Sequence, residues 1–267
     1  MSQRHVADAW ERGDAYERYV GRWSRRVAPL FLGWLDAPAG RRWLDVGCGT
    51  GALCAAILDA CAPSTLDGVE PSEGFLEIAR QQLSDRVTLH QGSAAAMPLG
   101  TATVDVTVSG LVLNFVPEPS AALAEMVRVT RRDGFIGAYV WDYAGKMEFM
   151  RFFWDVATQL DAQVAQMDQG VRFPLCRPDA LTELFAAATL ENVEVTAIDI
   201  PTSFADFDDY WLPFLGGTGS APTYVKSLDE AARARLRESI RERLPSRPDG
   251  SILMTARAWA VRGRVAA

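Results

Sequence analysis

Lysine is almost missing from this chain. Lys146 and Lys226 are the only two among 267 residues, and the remaining basic residues are arginines. With a net charge of −7, the chain lacks the basic surface that nucleic acid or an anionic membrane would require. The densest basic stretch, Arg233 to Arg247, carries Glu238 and Glu242 at helical spacing and reads as a solvated helix face. Long apolar runs are also missing: no stretch of about 18 uninterrupted apolar residues exists, which argues against a membrane span. Met1 to Asp14 is charged throughout and has no apolar h-region, so no secretory signal is expected. The four cysteines, Cys48, Cys54, Cys61 and Cys176, form no C-x-x-C pair and have no histidines at zinc spacing. Reduced core thiols, no metal site and a cytoplasmic location are therefore expected. Histidine is scarce as well. His90 closes a strand and His5 sits in the terminal arm, so neither reads as a catalytic base. No internal repeat or low-complexity segment is present, and no feature sets an oligomeric state.

What is present is a core-forming composition, 49% apolar, with an alternating pattern of elements. From about Arg41 to Asp142, short β-branched runs alternate with helical periodicity, the pattern of βαβ units in a parallel sheet. Strands are predicted at 43–46, 66–70, 87–90, 104–108 and 135–141. Helices are predicted after Gly51, after the capping Ser72, and over 119–129, with a turn at 131–134. Beyond Asp142 the alternation breaks. Helices are predicted over 147–166, 178–188 and 229–244, and strands over 193–200 and 252–261. Gly216 to Pro222 reads as the most flexible stretch. The whole reads as one decorated domain: an N-terminal helical cover (1–40), a binding core (41–142), a helical insertion and core helix (143–190), and C-terminal strands (191–267) around a lid-like insertion at 203–250.

The chemistry concentrates at Gly47-Cys48-Gly49-Thr50-Gly51, directly after the first strand. Glycines at alternate positions imply a tight backbone bend that something must approach closely. The helix that follows presents free N–H groups and its positive end. Gly47, Gly49 and Ala52 also satisfy the dinucleotide pattern G-x-G-x-x-A, so the bend alone does not choose a ligand. Glu70 ends the second strand about twenty residues later, where a carboxylate can accept hydrogen bonds from two ribose hydroxyls. Asp45 separates the possibilities better. A carboxylate at the mouth of the bend repels a pyrophosphate and attracts an ammonium group. The plainer reading of Asp45, a strand-end acid bonded to turn N–H groups, stays open.

These residues resemble those of a known family. Leu44-Asp45-Val46-Gly47-Cys48-Gly49-Thr50-Gly51 is similar to the first motif of the class I S-adenosylmethionine-dependent methyltransferases. Gly68 to Ser72 resembles their second motif, His90 to Leu99 their adenine-binding loop, Val104 to Pro117 their fourth-strand motif, and Arg128 to Gly134 the helix–turn–strand that follows. The flavour is that of the ubiquinone/menaquinone-biosynthesis-like small-molecule branch, and the likeness covers about residues 40 to 142. It implies an α/β fold, Rossmann-like and doubly wound: a mostly parallel seven-stranded sheet with the last strand antiparallel, plus helical N-terminal and lid insertions. It implies S-adenosyl-L-methionine as cofactor, S-adenosyl-L-homocysteine as product and a small-molecule acceptor. By the same resemblance, Asp45, Gly47, Cys48 and Gly49 line the methionine part and Glu70 holds the ribose. Pro71, Ser72, Gly92, Ser93 and Ala94 surround the adenine, and Ser109 with Leu111 lies under the sulfonium. Tyr19 and Arg22, in a segment similar to a cofactor cover, are implied to pack over the cofactor and pair with its carboxylate. Two positions depart from the pattern. Ser93 stands where relatives usually carry an acid, and Asn114 where many carry histidine, so no general base is implied there.

A sulfonium methyl group is already activated, so in-line placement is the main task, worth roughly 7–11 kcal/mol of barrier. Asp142 and Tyr143, at the end of the fifth strand, are candidate acceptor-facing groups. The aromatics at 149–154 and 204–214 either pack the helices or form the apolar wall of a lid over an aromatic or lipophilic acceptor. A nicotinamide-dependent oxidoreductase and a non-catalytic S-adenosylmethionine-binding protein are the alternatives. The first should carry a Ser-Tyr-Lys or histidine-bearing catalytic site, and none is seen.

Overall fold

The computed structural model describes residues 20–216 and 219–267. Seven strands form one sheet: β1 (Arg42–Val46), β2 (Thr65–Glu70), β3 (Thr88–Gln91), β4 (Val104–Gly110), β5 (Thr130–Trp141), β6 (Leu190–Phe204) and β7 (Ile252–Val265), in the order β3-β2-β1-β4-β5-β7-β6. The pairs β2–β3, β1–β2, β1–β4 and β4–β5 are parallel, whereas β7 runs antiparallel to β5. Chain direction reverses laterally at β1, which moves outward to β2 and β3 and then returns to β4. That is the switch point at which open α/β sheets leave a crevice beyond their strand ends. The fold is the mostly parallel, Rossmann-like sheet expected from the sequence.

Local chemistry explains most element boundaries. Trp43, Leu44 and Val46 of β1 and Val104, Val106 and Val108 of β4 are buried, as central parallel strands covered on both faces must be. The helix Pro119–Val129 starts on a proline that needs no intrahelical N–H, and it buries Ala122, Leu123, Met126 and Val129 on one stripe. The turn expected at 131–134 is instead the first part of β5. The register shifts between Val104 and Val106, and Asp133 adopts φ 58°, so a strand irregularity absorbs the bend. The helix expected to reach Gln166 stops at Leu160. Asp161 there turns to extended backbone and accepts the Gln163 N–H at 3.0 Å, opening a separate 3-10 turn over Ala162–Met167. The last two strands are longer than their apolar patterns, because β6 alternates buried and exposed residues from Ile198 to Phe204 and β7 continues to Val265.

The chain forms two compact units. One holds Ser24–Trp141, Leu175–Ile198 and Ala258–Ala267, and so contains β1 to β5 and the glycine bend. The other holds the described residues up to Trp23, with Asp142–Pro174 and Asp199–Arg257. Its core is aromatic: Phe153 stacks on Phe214 at 4.6 Å, Trp23 meets Phe204 edge-on at 5.4 Å, and the Tyr210 hydroxyl donates to the Phe149 carbonyl at 2.8 Å. All six side chains are buried, so these aromatics build that unit's interior. Of the glycine stretch, Gly217 and Thr218 lie outside the described residues.

In the first unit, Asp105 on β4 ties together the starts of β1 and β5. It accepts from the Arg42 backbone N–H at 2.8 Å, from Arg42 Nη2 at 3.1 Å, and from Arg131 Nε. The bonds from Arg42, more than those from Arg131, hold the Asp105 carboxyl well below the usual carboxylate range. A depressed pKa stabilises the fold above the unfolded value near 4, and that stabilisation is lost as pH falls below it. Asp105→Asn is expected to lower the unfolding free energy by about 1–3 kcal/mol at pH 7, and to lessen the stability lost below about pH 4. Urea denaturation at both pH values measures this.

Candidate cofactor-binding site

The glycine bend is bolted to the second strand. The N–H groups of Gly47 and Cys48 both donate to the Val69 carbonyl, at 2.8 and 3.1 Å, and Gly51 N–H closes the bend on the Cys48 carbonyl at 2.8 Å. Gly47 and Gly49 sit at φ 73° and 54°, the left-handed region that other residues enter at a cost. A Cβ on Gly47 would lie 2.5 Å from Val112 Cγ1, so the segment after β4 rests directly on the bend. A Cβ on Gly49 would meet nothing within 4 Å, so the bend is open there. Just beyond it, the helix Ala52–Ala60 begins with no side-chain cap.

Two carboxylates flank this opening. Asp45 is 1% exposed; its Oδ2 accepts the Cys54 thiol at 3.3 Å, and its Oδ1 has no partner. Burial pushes its pKa up to about 7; the Cys54 hydrogen bond opposes the shift, and the nearby Glu70 charge adds to it. Cys54 is held as the neutral thiol, first by its hydrogen bond with Cys48 and then by burial. Glu70 is also buried. It accepts the Gly49 N–H at 3.1 Å through Oε2 and the Ser72 N–H at 3.0 Å through Oε1. Burial raises its pKa above the ordinary value, and these two N–H groups oppose the rise. Each oxygen keeps a lone pair for a further donor.

The other candidates lie at successive strand ends. Pro71 accepts the Gln91 side-chain amide at 3.2 Å, and Ser72 Oγ caps the next helix by accepting Phe75 N–H at 3.4 Å. Gly92 N–H donates to the Glu70 carbonyl at 3.2 Å. Ser93 and Ala94 form a small turn in which Ser93 Oγ accepts Ala95 N–H at 3.2 Å. Ser109 is fully buried and donates to the Val46 carbonyl at 2.9 Å, stitching β4 to β1. Leu111 takes φ 62° and donates its N–H to the Tyr139 carbonyl at 2.8 Å. Hydrogen bonds thus connect Gly47, Cys48, Gly49, Glu70, Ser72 and Gly92 around one bend, with Asp45 next to it in the chain.

The remaining candidates make contacts of their own or lie outside the described residues. Tyr19 lies outside the described residues. Arg22 Nη1 donates to Asp209 at 2.9 Å, and the guanidinium rests on the Trp23 and Phe204 rings at 4.5 and 4.7 Å. Asp142 closes its own turn by accepting the N–H groups of Gly145 and Lys146 at 3.0 and 2.9 Å, and Tyr143 is buried against Phe173 at 5.7 Å. His90 Nε2 pairs with Asp67 Oδ1 at 2.7 Å across β2 and β3, a structural use. Among the described residues, no group of three or more His, Cys, Asp or Glu is placed to hold a metal. Sequence reasoning did not anticipate Val112, which roofs Gly47, or the part of Cys54 in tethering Asp45. The apolar run after β4 was the available signal for the first; the second needs three-dimensional placement.

Residues 44–137, the stretch that carries the bend and both carboxylates, match the family described as a methyltransferase domain. This stretch is a methyltransferase domain of the class I S-adenosylmethionine-dependent kind. It is 28% identical over 178 residues to a demethylmenaquinone methyltransferase of Anoxybacillus flavithermus, covering 60% of this chain and 74% of that one. It is 32% identical over 136 residues to a malonyl-[acyl-carrier protein] O-methyltransferase of Serratia marcescens, covering 51% of this methyltransferase and about half (52%) of that relative. Its fold superposes on phosphoethanolamine N-methyltransferase 2 of Haemonchus contortus with a TM-score of 0.59 at 15% identity, covering 98% of this chain and 58% of that one. S-adenosylmethionine is the cofactor of the family. The open bend at Gly49, the unpartnered Asp45 oxygen and the spare lone pairs of Glu70 suit the charges and hydroxyls of that molecule.

An acid whose folded pKa is raised stabilises the fold fully below its unfolded value near 4, and that contribution fades as pH climbs towards the folded value. The cofactor-free methyltransferase is therefore expected to lose up to about 4 kcal/mol of stability between pH 4 and pH 7 on account of Asp45. Asp45→Asn should flatten that part of the curve, as read by urea denaturation at each pH. Gly47→Ala combines left-handed backbone strain with a clash against Val112, and is expected to cost about 2–4 kcal/mol by the same measurement.

Proposed function

We propose that this methyltransferase transfers a methyl group from S-adenosylmethionine to an aromatic or lipophilic small-molecule acceptor in the cytoplasm. The observation that carries this reading is the buried, half-satisfied Asp45 carboxylate at the mouth of an open glycine bend. An unmatched buried oxygen is costly to maintain, and an ammonium group arriving there repays the cost. S-adenosylmethionine supplies an activated methyl group on a sulfonium centre and carries such an ammonium group.

In this reading Asp45 accepts from the ammonium, while the backbone of Gly47, Cys48 and Gly49 lies along the aminoacyl tail. Glu70, braced by two backbone N–H groups, accepts from the ribose hydroxyls. Pro71, Ser72, Gly92, Ser93 and Ala94 would border the adenine, and Ser109 on β4 and Leu111 just after it would lie by the sulfonium. Arg22 and Tyr19 are proposed to serve the cofactor cover, and Asp142 and Tyr143 to face the acceptor. The residues position and desolvate the partners, and catalysis comes mainly from holding them in attack geometry. Menaquinone-type and acyl-carrier acceptors appear in the names of similar proteins, which supports a small or carrier-borne organic acceptor. Among the described residues no helix is long and apolar enough to cross a membrane.

Isothermal calorimetry tests the binding half of this proposal. S-adenosylmethionine and S-adenosylhomocysteine should bind, with NAD giving no heat. Asp45→Asn should weaken binding about 10–100-fold and Glu70→Gln about tenfold. Tight NAD binding without response to the sulfur ligands would overturn the reading. A radiolabelled methyl-transfer screen over phenols, quinones and amines tests the enzymatic half, and no transfer to any acceptor class would count against it.

A further inference from the structure

The five residues after β4, Leu111 to Phe115, carry two local costs. Leu111 is held at φ 62°, where a branched side chain is strained by about 1–3 kcal/mol. Asn114, on the short 3-10 turn Leu113–Phe115, keeps its side-chain Nδ2 buried from solvent with no hydrogen-bond partner. A buried amide donor left unmatched costs a further 1–3 kcal/mol or so. Between these two residues stands Val112, whose side chain lies against Gly47 of the bend. The strain and the unmatched donor therefore flank the residue that touches the cofactor turn. Uncompensated costs gathered in one short segment beside a binding turn are the mark of a site shaped for a ligand.

We propose that Asn114 is a positioning residue for the methyl acceptor: its Nδ2 donates a hydrogen bond to an anionic oxygen of that acceptor. The inference rests on the methyl-transfer reading above and adds the acceptor class to it. A carboxamide takes up no proton near neutral pH, so it holds an oxyanion without generating one. Acceptors suited to Asn114 bring their oxygen already ionised, as acidic phenols, enols or carboxylates do. A neutral amine offers no such oxygen. Leu111, held by its N–H to the Tyr139 carbonyl at 2.8 Å, sets where the 3-10 turn begins and so where Asn114 is presented.

The probe is 4-nitrophenol, which is ionised at pH 8 and absorbs visibly as the anion. It is titrated into the methyltransferase saturated with S-adenosylhomocysteine. Wild type should bind 4-nitrophenolate, and Asn114→Leu should weaken that binding about 10–100-fold, the range expected for one hydrogen bond to a charged oxygen. Asn114→Asp, which presents only acceptors, should lose at least as much. S-adenosylhomocysteine affinity should be unchanged in Asn114→Leu, and its melting temperature should not fall, because the variant removes an unmatched buried donor. A purely structural asparagine would instead lower the melting temperature and leave the phenolate affinity of the folded fraction intact. Equal phenolate binding by wild type and Asn114→Leu, or no binding by wild type, overturns the proposal. Failure of wild type to bind S-adenosylhomocysteine shows in the first step and defeats the underlying reading, and this one with it.

Discussion

A carboxylate pressed into a dry strand end is the constraint around which the binding half of this molecule is arranged. Asp45 sits on β1, between two parallel neighbours, and its charge has no solvent, one thiol as hydrogen-bond partner and the like charge of Glu70 nearby. Such a group sheds its charge, attracts an opposite one, or destabilises the fold. The glycine bend immediately downstream makes the second outcome available by leaving the backbone open at Gly49. Val69 fastens the bend, Val112 roofs it, Glu70 braces its far side, and Ser109 ties β4 to the carbonyl of Val46. The doubly wound sheet provides the geometry, since β1 is where the strand order reverses.

The two carboxylates divide the work through their surroundings. Glu70 is partly compensated by two backbone N–H groups, so it stays a rigid acceptor whose direction is set before a ligand arrives. Asp45 is left half-satisfied, with its pKa raised to about 7 by burial, and we propose that its protonation responds to what binds. Pre-organisation at one end and responsiveness at the other suit a ligand with neutral hydroxyls at one end and a cation at the other.

Much of this was legible in the sequence, and the reasons are local. In β1 to β4, short connections and β-branched runs leave little freedom, so the predicted strands fall within a residue or two of the observed ones. Proline at the start of the helix Pro119–Val129 marked that boundary directly. The misplaced boundaries, at 131–134 and at Asp161, are positions where one polar residue can serve either as a turn or as part of a longer element. Tertiary pairing decided the first, and an N-cap hydrogen bond the second. In the site, the bend, Asp45 and Glu70 were readable because their chemistry follows from residue type and spacing. The free oxygen on Asp45, the thiol that holds its other oxygen, and the unmatched Asn114 amide depend on which atoms burial leaves without partners. Residue order does not encode that. The aromatic stretches after Asp142 illustrate the same boundary, since sequence left core and lid both open and burial assigns the side chains to an interior.

The central claim is that the ionisation of Asp45 answers to a cation in the bend. The direct measurement is a pH titration of the Asp45 side-chain carbon by NMR in the selectively labelled protein, with and without S-adenosylmethionine. The account predicts a midpoint near pH 7 in the free protein, shifted down by at least one unit when the ligand's ammonium is bound. A midpoint in the ordinary aspartate range without ligand, or one that the ligand leaves unmoved, would contradict it.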